Sequence, residues 1–571
     1  MPKIKINNLE VRADEGTTIL QAAKEHNFKI PTLCYYPDLD IKSDCRVCVV
    51  ESVGQEKLVT ACSTPIYEGM EIKINSPRAQ NARKAIIEMI LANHDANCTA
   101  CVRNTNCELQ NLSDHLGIVH NRFETIYEKK PNDTSSPSLI RNHSRCIKCG
   151  RCIDACKTIQ DISVLEFSGR SHEVEVGPAY HKDLADVFCT YCGQCSTVCP
   201  VGAIMEKSDV EKVWQAIDDS SKHVVVQVAP AIRVSLGEEL GMQLGSIVTG
   251  KVVAALKMLG FTKVFDTNFT ADLTIIEEGH ELIHRLKNGG KTPLITSCCP
   301  GWVRYAEHKF PDLLENLSSC KSPQQMFGAL AKTYYAQRES IDPKDIYVVS
   351  IMPCTAKKYE AIRPEMSVNG EDPDVDAVLT TRELAKMIKQ IGVDFDNLRE
   401  QKFDKPDEVT SGAAAIFGAT GGVMEAALRT VKEVVEEKPL EKLDFDTVRG
   451  YEGIREAEVE IKGETLKVAV AHTLANAKKL AQDIRDGKSP YAFIEVMACP
   501  GGCVGGGGQP YGTTREKQRD RIHSIYQVDR LMKIRKSHDN AAVSNLYSSY
   551  LGDPSGELAH KLLHTKYTKR S

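Results

Sequence analysis

Residues 3–6 read Lys-Ile-Lys-Ile and residues 9–12 read Leu-Glu-Val-Arg, two alternating runs separated by Asn7-Asn8. Period-two alternation across such a break predicts a β-hairpin, with a helix from Thr17 to His26 behind it. A second helix is expected over Ala82 to Ala92. Beyond about residue 210 the pattern changes. Val224–Val228 and Ile346–Ile351 are unbroken apolar runs fit for buried strands, and Val252–Met258 is a helical stretch between them. In the segment Asp272–Lys287, Glu278, Glu281 and Arg285 stand at i, i+3 and i+7, one side of a helix, flanked by Ile275, Leu282 and Leu286. Strands alternating with helices predict a large α/β domain. No run of 18 apolar residues occurs, so no spanning helix is expected.

Composition alters this picture in one respect. At roughly 150 residues per domain, the 571 residues have room for three to five domains. The 72 Lys+Arg against 77 Asp+Glu leave a net charge of −5. That balance argues against nucleic acid or an anionic membrane as partner. The opening MPKIKINNLEVRADEG has no basic-then-apolar export signal, so a cytoplasmic protein is expected. The 21 cysteines are too sparse for a disulfide scaffold. In a reducing compartment such residues bind metal or do chemistry.

Cys34, Cys45, Cys48 and Cys62 form the first block, one cysteine, a tight pair and a distant fourth. Four thiolates so placed can wrap a 2Fe–2S cluster. The spacing is similar to the plant-type ferredoxin arrangement with a longer first gap, whereas zinc more often takes two CxxC pairs. His94, Cys98, Cys101 and Cys107 follow. Three thiolates underfill a 4Fe–4S site, which makes His94 the natural fourth ligand; otherwise it is a surface histidine after a helix. The third block carries two copies of the bacterial ferredoxin run, Cys146, Cys149, Cys152, Cys156 and Cys189, Cys192, Cys195, Cys199. In such pairs the fourth cysteine of each run serves the other cluster, giving Cys146, Cys149, Cys152 and Cys199 to one 4Fe–4S cluster and Cys189, Cys192, Cys195 and Cys156 to the next. Plant-type 2Fe–2S centres lie near about −400 mV. The proton/hydrogen couple at pH 7 falls at about −0.41 V, since each pH unit shifts it by about 59 mV.

Three segments stand apart in the large domain: Thr296-Ser297-Cys298-Cys299-Pro300-Gly301-Trp302, Met352-Pro353-Cys354-Thr355-Ala356-Lys357-Lys358-Tyr359-Glu360, and Glu495-Val496-Met497-Ala498-Cys499-Pro500-Gly501-Gly502-Cys503 running on through Gln509-Pro510. Together they resemble the signature loops of the FeFe hydrogenases, and the resemblance spans nearly the whole chain. It implies an H-cluster: a 4Fe–4S cubane on Cys299, Cys354, Cys499 and Cys503, joined through Cys503 to a two-iron unit with carbon monoxide, cyanide and a bridging azadithiolate. With one 2Fe–2S and three accessory 4Fe–4S clusters this takes all cysteines but Cys298 and Cys320. The implied reaction is 2H⁺ + 2e⁻ ⇌ H₂.

By the same resemblance Cys298 exchanges a proton with the two-iron unit, and the inward route is Arg285, Glu281, Ser318, Glu278, a water, then Cys298. Without it, Cys298 reads as a buried structural thiol and the helix charges as a solvated ion-paired face. Lys357 and the backbone of Ala229, Pro230 and Ala231 are expected to meet the cyanides; some relatives have Ser where this chain has Ala231. Gln324, Met352 and Met497 are expected to line the pocket, though alone each methionine reads as core packing. Glycines 505–508 fit close approach to a cofactor or a flexible loop. Cys320 is expected to be structural.

The expected organisation is multidomain α+β and α/β: a ferredoxin-like domain over 1–80, a His/Cys-ligated domain over 81–125, a two-cluster domain over 126–209, and the H-cluster domain over 210–571. Its tail from about 526 matches a stretch that is a separate small chain in exported relatives. Expected partners are H₂, protons, maturation proteins for the two-iron unit, and either ferredoxin or flavin- and NAD(P)-binding subunits. Gly418-Ala419-Thr420-Gly421-Gly422 is too weak a motif for a dinucleotide site on this chain. The alternatives are a stand-alone ferredoxin-dependent hydrogenase, a non-catalytic electron relay such as the cluster-bearing subunit of NADH dehydrogenases, and a sensory or assembly iron–sulfur protein.

Overall fold

The computed structural model describes residues 1–126, 128–405 and 409–570, so Ser571 of the expected tail lies outside the described residues. The chain divides into two units. One comprises Met1–Thr158, Ser163–Val187 and Val198–Met205; the other comprises Ile159–Ile162, Phe188–Thr197 and Glu206–Ser571.

In the first unit Lys3–Ile6 and Leu9–Arg12 pair antiparallel, and Asn7 and Asn8 turn between them with φ of 45° and 72°. Asparagine tolerates this left-handed region better than most residues. Glu71–Lys73, Val49–Ser52 and Val59–Thr60 complete a five-stranded sheet. The helix behind it is Ile19–Glu25, shorter than expected because Thr18 and Gln21 cap its start reciprocally. The next helix, Pro77–Ala92, begins earlier than Ala82 because Ser76 caps it and Pro77 takes the first position.

The second unit holds two four-stranded sheets. The first is parallel, in the order Lys263–Asp266, His223–Val228, Ile346–Met352, Ala377–Thr380. Its two central strands are the apolar runs seen in the sequence, buried because helices such as Thr249–Leu259 and Thr381–Gln390 cover it. The second runs Leu294–Ile295, Phe493–Met497, Glu464–His472, Ile454–Ile461 and ends in an antiparallel hairpin. The long helix Thr267–Asn288 packs between the second-sheet core and the C-terminal helices Ala541–Leu546 and Glu557–Leu563. Ile275 and Leu282 are buried as expected. Leu286 is not: it is 43% exposed, because the last turn of the helix clears the core. Among the described residues no helix is long and apolar enough to cross a membrane.

Candidate metal centre and proton route

Parallel strands present the loops that follow them along one edge, the usual place for a ligand in open α/β sheets. Here five such loops converge. His223–Val228 leads into Ala229, Pro230 and Ala231; Lys263–Asp266 into Thr267; Leu294–Ile295 into Cys298 and Cys299; Ile346–Met352 into Cys354; Phe493–Met497 into Cys499 and Cys503. These residues line one cavity of about 80 Å³, together with Gln324, Met352, Lys357 and Met497. Gly502 of the third segment and Gly506 of the glycine run also line it, as do Thr267, Pro323 and Phe417, of which the sequence carried no sign.

The donor set fits a cluster. Burial first, and the neighbouring cysteines next, push the thiols of Cys354, Cys499 and Cys503 upward, Cys354 to about 12. Cys299 is raised by burial too. Thiols that disfavour one another's ionisation want a cation between them. Four buried or half-buried thiols on one cavity wall are the soft donor set that an iron–sulfur cluster takes. Lys357 Nζ donates to Glu360 Oε2 at 2.8 Å and to the Cys298 carbonyl at 3.1 Å. An ammonium has three donors, so one is left for the cavity. Gln324 is held by the same Glu360 oxygen at 3.0 Å, and its buried Oε1 has no protein partner. Such an orphan on a cavity wall marks where a polar ligand belongs.

The residues expected on the proton route stand in a row of contacts from Arg285 to Glu278. Arg285 donates to Glu281 Oε1 at 2.6 Å, and the Ser318 hydroxyl donates to Glu281 Oε2 at 2.8 Å. Glu278 is buried and bonded to Ser318; burial, then the Glu281 carboxylate, pushes its carboxyl up to about 8. Cys298 lies beyond it, its thiol raised well above the ordinary value by burial and then by Glu278. It is thus a neutral S–H, not a partly ionised thiol. Cys320, expected to be structural, sits at this route: its thiol is 4.0 Å from Glu281 Oε2 and its N–H donates to Ser318 Oγ at 3.2 Å. Its place two residues after Ser318 was the available signal.

The glycines are packed, not flexible. A Cβ on Gly505 would sit 2.0 Å from the Pro500 carbonyl, one on Gly506 2.1 Å from that of Pro353, and one on Gly507 2.2 Å from that of Cys192. The motif at Gly421-Gly422 has a different use. The N–H groups of Gly421 and Met424, at the start of the helix Gly422–Glu436, both donate to the Glu495 carboxylate at 2.7 Å. A protein carboxylate therefore occupies the place a phosphate would take.

The sequence family described as the C-terminal domain of the iron-only hydrogenase large subunit matches residues 222–507, and the iron hydrogenase small subunit matches 515–570. HndD, a subunit of the NADP-reducing hydrogenase of Solidesulfovibrio fructosivorans, is 47% identical over all of this chain and 99% of its own. Iron hydrogenase 1 of Clostridium pasteurianum is 43% identical with both chains fully covered. The solved FeFe-hydrogenase HydA1 from Chlamydomonas reinhardtii aligns with a TM-score of 0.58 at 42% identity, over 64% of this chain and 99% of that one. This chain belongs to the iron-only hydrogenases.

The front end of this hydrogenase matches a 2Fe–2S cluster-binding domain over 2–77, an iron–sulfur binding region of NADH-ubiquinone oxidoreductase over 83–122, and a 4Fe–4S dicluster domain over 145–203. Its thiols sit accordingly. Cys34 N–H points at Cys45 Sγ, and Cys48 Sγ is 3.4 Å from Cys62 Sγ: two pairs, as two bridged irons require. His94 is buried with Nδ1 unpartnered, its ring held by the backbone at Arg145; burial pushes it down to about 4 and keeps it neutral, as a ligand must be. The two ferredoxin runs repeat one loop shape. Lys148 and Tyr191 both have φ of 57°, and Gly150 and Gly193 have 71° and 72°. The Lys148 and Tyr191 N–H groups donate to Cys146 and Cys189 sulfur, each at 3.4 Å. Cys199 neighbours Cys146 and Cys149 within the first unit. Cys156 lies in the first unit, and Cys189, Cys192 and Cys195 lie in the second.

Proposed function

We propose that this hydrogenase is the catalytic subunit of an NAD(P)-linked assembly, fed through one 2Fe–2S and three 4Fe–4S accessory clusters held by the cysteines and His94 in the sets given above. Cys299, Cys354, Cys499 and Cys503 would hold the H-cluster, which when bound supplies the irons that exchange electrons and protons with dihydrogen. The chain's own residues then divide the remaining work. Lys357 and the backbone at Ala229–Ala231 hold the cluster's polar edge, and Met352, Met497 and Gln324 shape a mostly apolar wall that limits water. Arg285, Glu281, Ser318 and Glu278 carry protons between the surface and Cys298, whose thiol keeps its proton until an acceptor within hydrogen-bond reach takes it.

The single observation that carries this reading is the cavity: Ala229, Pro230, Ala231, Gln324, Met352, Lys357 and Met497 meet there with five cysteines, Cys298, Cys299, Cys354, Cys499 and Cys503. Full-length likeness to a protein named as a subunit of an NADP-reducing hydrogenase favours the assembly. Equal coverage of the clostridial iron hydrogenase favours a second reading, a stand-alone enzyme fed by ferredoxin. Native protein purified without air should evolve H₂ from reduced methyl viologen and co-elute with a flavin-bearing chain. Elution alone with ferredoxin-dependent activity favours the second reading. Cys298→Ala should lose at least about a hundredfold in turnover while keeping its infrared bands from metal-bound diatomics, since a positioned acid or base is worth about 10²–10⁴. Full activity in that variant removes Cys298 from the route.

A further inference from the structure

The segment that carries Ser318 is gripped by the C-terminal stretch. Lys321 N–H donates to the Leu563 carbonyl at 2.7 Å, Thr565 N–H donates to the Ser319 carbonyl at 2.8 Å, and Cys320 and His564 face each other as antiparallel partners. Both ring nitrogens of His564 are engaged. Nδ1 is 2.8 Å from Ser319 Oγ and Nε2 is 3.0 Å from Glu277 Oε2. Glu277 is fully buried on the long helix, next in sequence to Glu278, and also accepts from the Tyr547 hydroxyl and from Ser555 N–H at 2.8 Å. Burial opposes its charge, but the bonds from His564 and Tyr547 prevail and hold it below the ordinary carboxylate range. With Glu277 ionised, Nε2–H donates to it, and Nδ1 pairs with the Ser319 hydroxyl.

Ser319 is therefore held at both ends. Its side chain goes to His564, and its N–H goes to Glu281, 3.1 Å from Oε2 and 3.4 Å from Oε1. Ser318 Oγ and the Cys320 thiol meet the same Oε2 from either side. Three consecutive residues hold one carboxylate, and the C-terminal histidine holds the middle one. His564 is absent from the cavity wall.

We propose that His564 is a positioning residue for proton transfer: bridging Glu277 and Ser319, it keeps residues 318–320 against the Glu281 carboxylate. The proposal rests on the reading of Glu281, Ser318 and Glu278 as the proton route. Transfer needs donor and acceptor at about 2.6–3.2 Å. A displacement of about 1 Å is enough to cost on the order of 10²-fold.

The test uses the full chain with its clusters matured, as wild type, His564→Ala, Ser319→Ala, the double variant, Ser319→Thr and Glu278→Gln. Three quantities are read: turnover and KM for reduced methyl viologen, the infrared bands of metal-bound diatomics, and the carboxylic C=O stretch of Glu278, identified by its loss in Glu278→Gln. Each alanine variant should lower turnover roughly tenfold with KM and the diatomic bands unchanged and the C=O stretch shifted. The double variant should be no worse than either single, because both cut one link. Ser319→Thr, which keeps the hydroxyl, should restore turnover. Unchanged turnover and stretch in His564→Ala overturns the proposal, as do additive losses in the double variant or a loss that follows the diatomic bands. Wild-type turnover in Glu278→Gln overturns the route itself, a separate result from any of these.

Discussion

Glu278 is the residue on which the chemistry and the stability of the site pull in opposite directions. Its carboxyl is raised to about 8 by burial and by Glu281, so the folded protein keeps a proton that the unfolded chain, with an ordinary carboxyl near about 4.3, gives up. The stability linked to this group is fully present below the unfolded value and is lost as pH rises through the folded one. Glu278→Gln, which is neutral throughout, should therefore match wild type in thermal midpoint near pH 4 and exceed it near pH 9, while its turnover falls at least about a hundredfold. A parallel pH dependence in both proteins would contradict the buried neutral acid. Glu360 is a comparable case, bonded to two residues of the cavity wall, Gln324 and Lys357. One of its oxygens accepts from Ser322, Gln324 and Lys357 at 2.9, 3.0 and 2.8 Å. Glu360→Ala leaves a buried ammonium without its counter-charge, a change of about 3–5 kcal/mol; a drop in thermal midpoint together with weaker cluster retention is the expected outcome.

At the level of elements, what the sequence revealed was whatever is written locally. The hairpin at 3–12, the strands at 224–228 and 346–351 and the cysteine loops all depend on short spacings, and the structure contains each of them. Leu294–Ile295 is two residues long and Ile454–Ile461 alternates buried with exposed positions, so neither reads as part of a buried parallel sheet. Thr267, Pro323 and Phe417 reach the cavity because strands far apart in the chain lie side by side, and nothing in their neighbours announces it. Leu286 failed for the converse reason, since periodicity cannot tell where a core stops. The glycine loop gives the sharpest test at this scale. The Cys192 carbonyl that blocks a Cβ on Gly507 is backbone and cannot swing aside. Gly507→Ala should lower stability by about 1–3 kcal/mol and reduce iron retained per chain, measured by calorimetry and metal analysis.

Over the whole molecule, the two units differ in what holds them up. The second has a large apolar core around its parallel sheet, whereas cysteines are themselves core residues in the first, with Cys48 and Cys62 in one cluster and Cys107 and Cys199 in another. Metal-dependent folding is the rule for small domains built this way. Removing iron with a chelator under reducing conditions should abolish hydrogen-exchange protection over 1–125 and leave it over the strands His223–Val228 and Ile346–Met352; equal protection before and after would show that the front end stands without its clusters. The Cys48–Cys62 pair, 3.4 Å apart, carries a cost of its own during biogenesis. Until iron arrives, dioxygen can draw two electrons and two protons from those neighbouring thiols and seal them as a disulfide. A copy that met air before its iron would then be closed to loading at this pair, whatever the state of its hydrogen site.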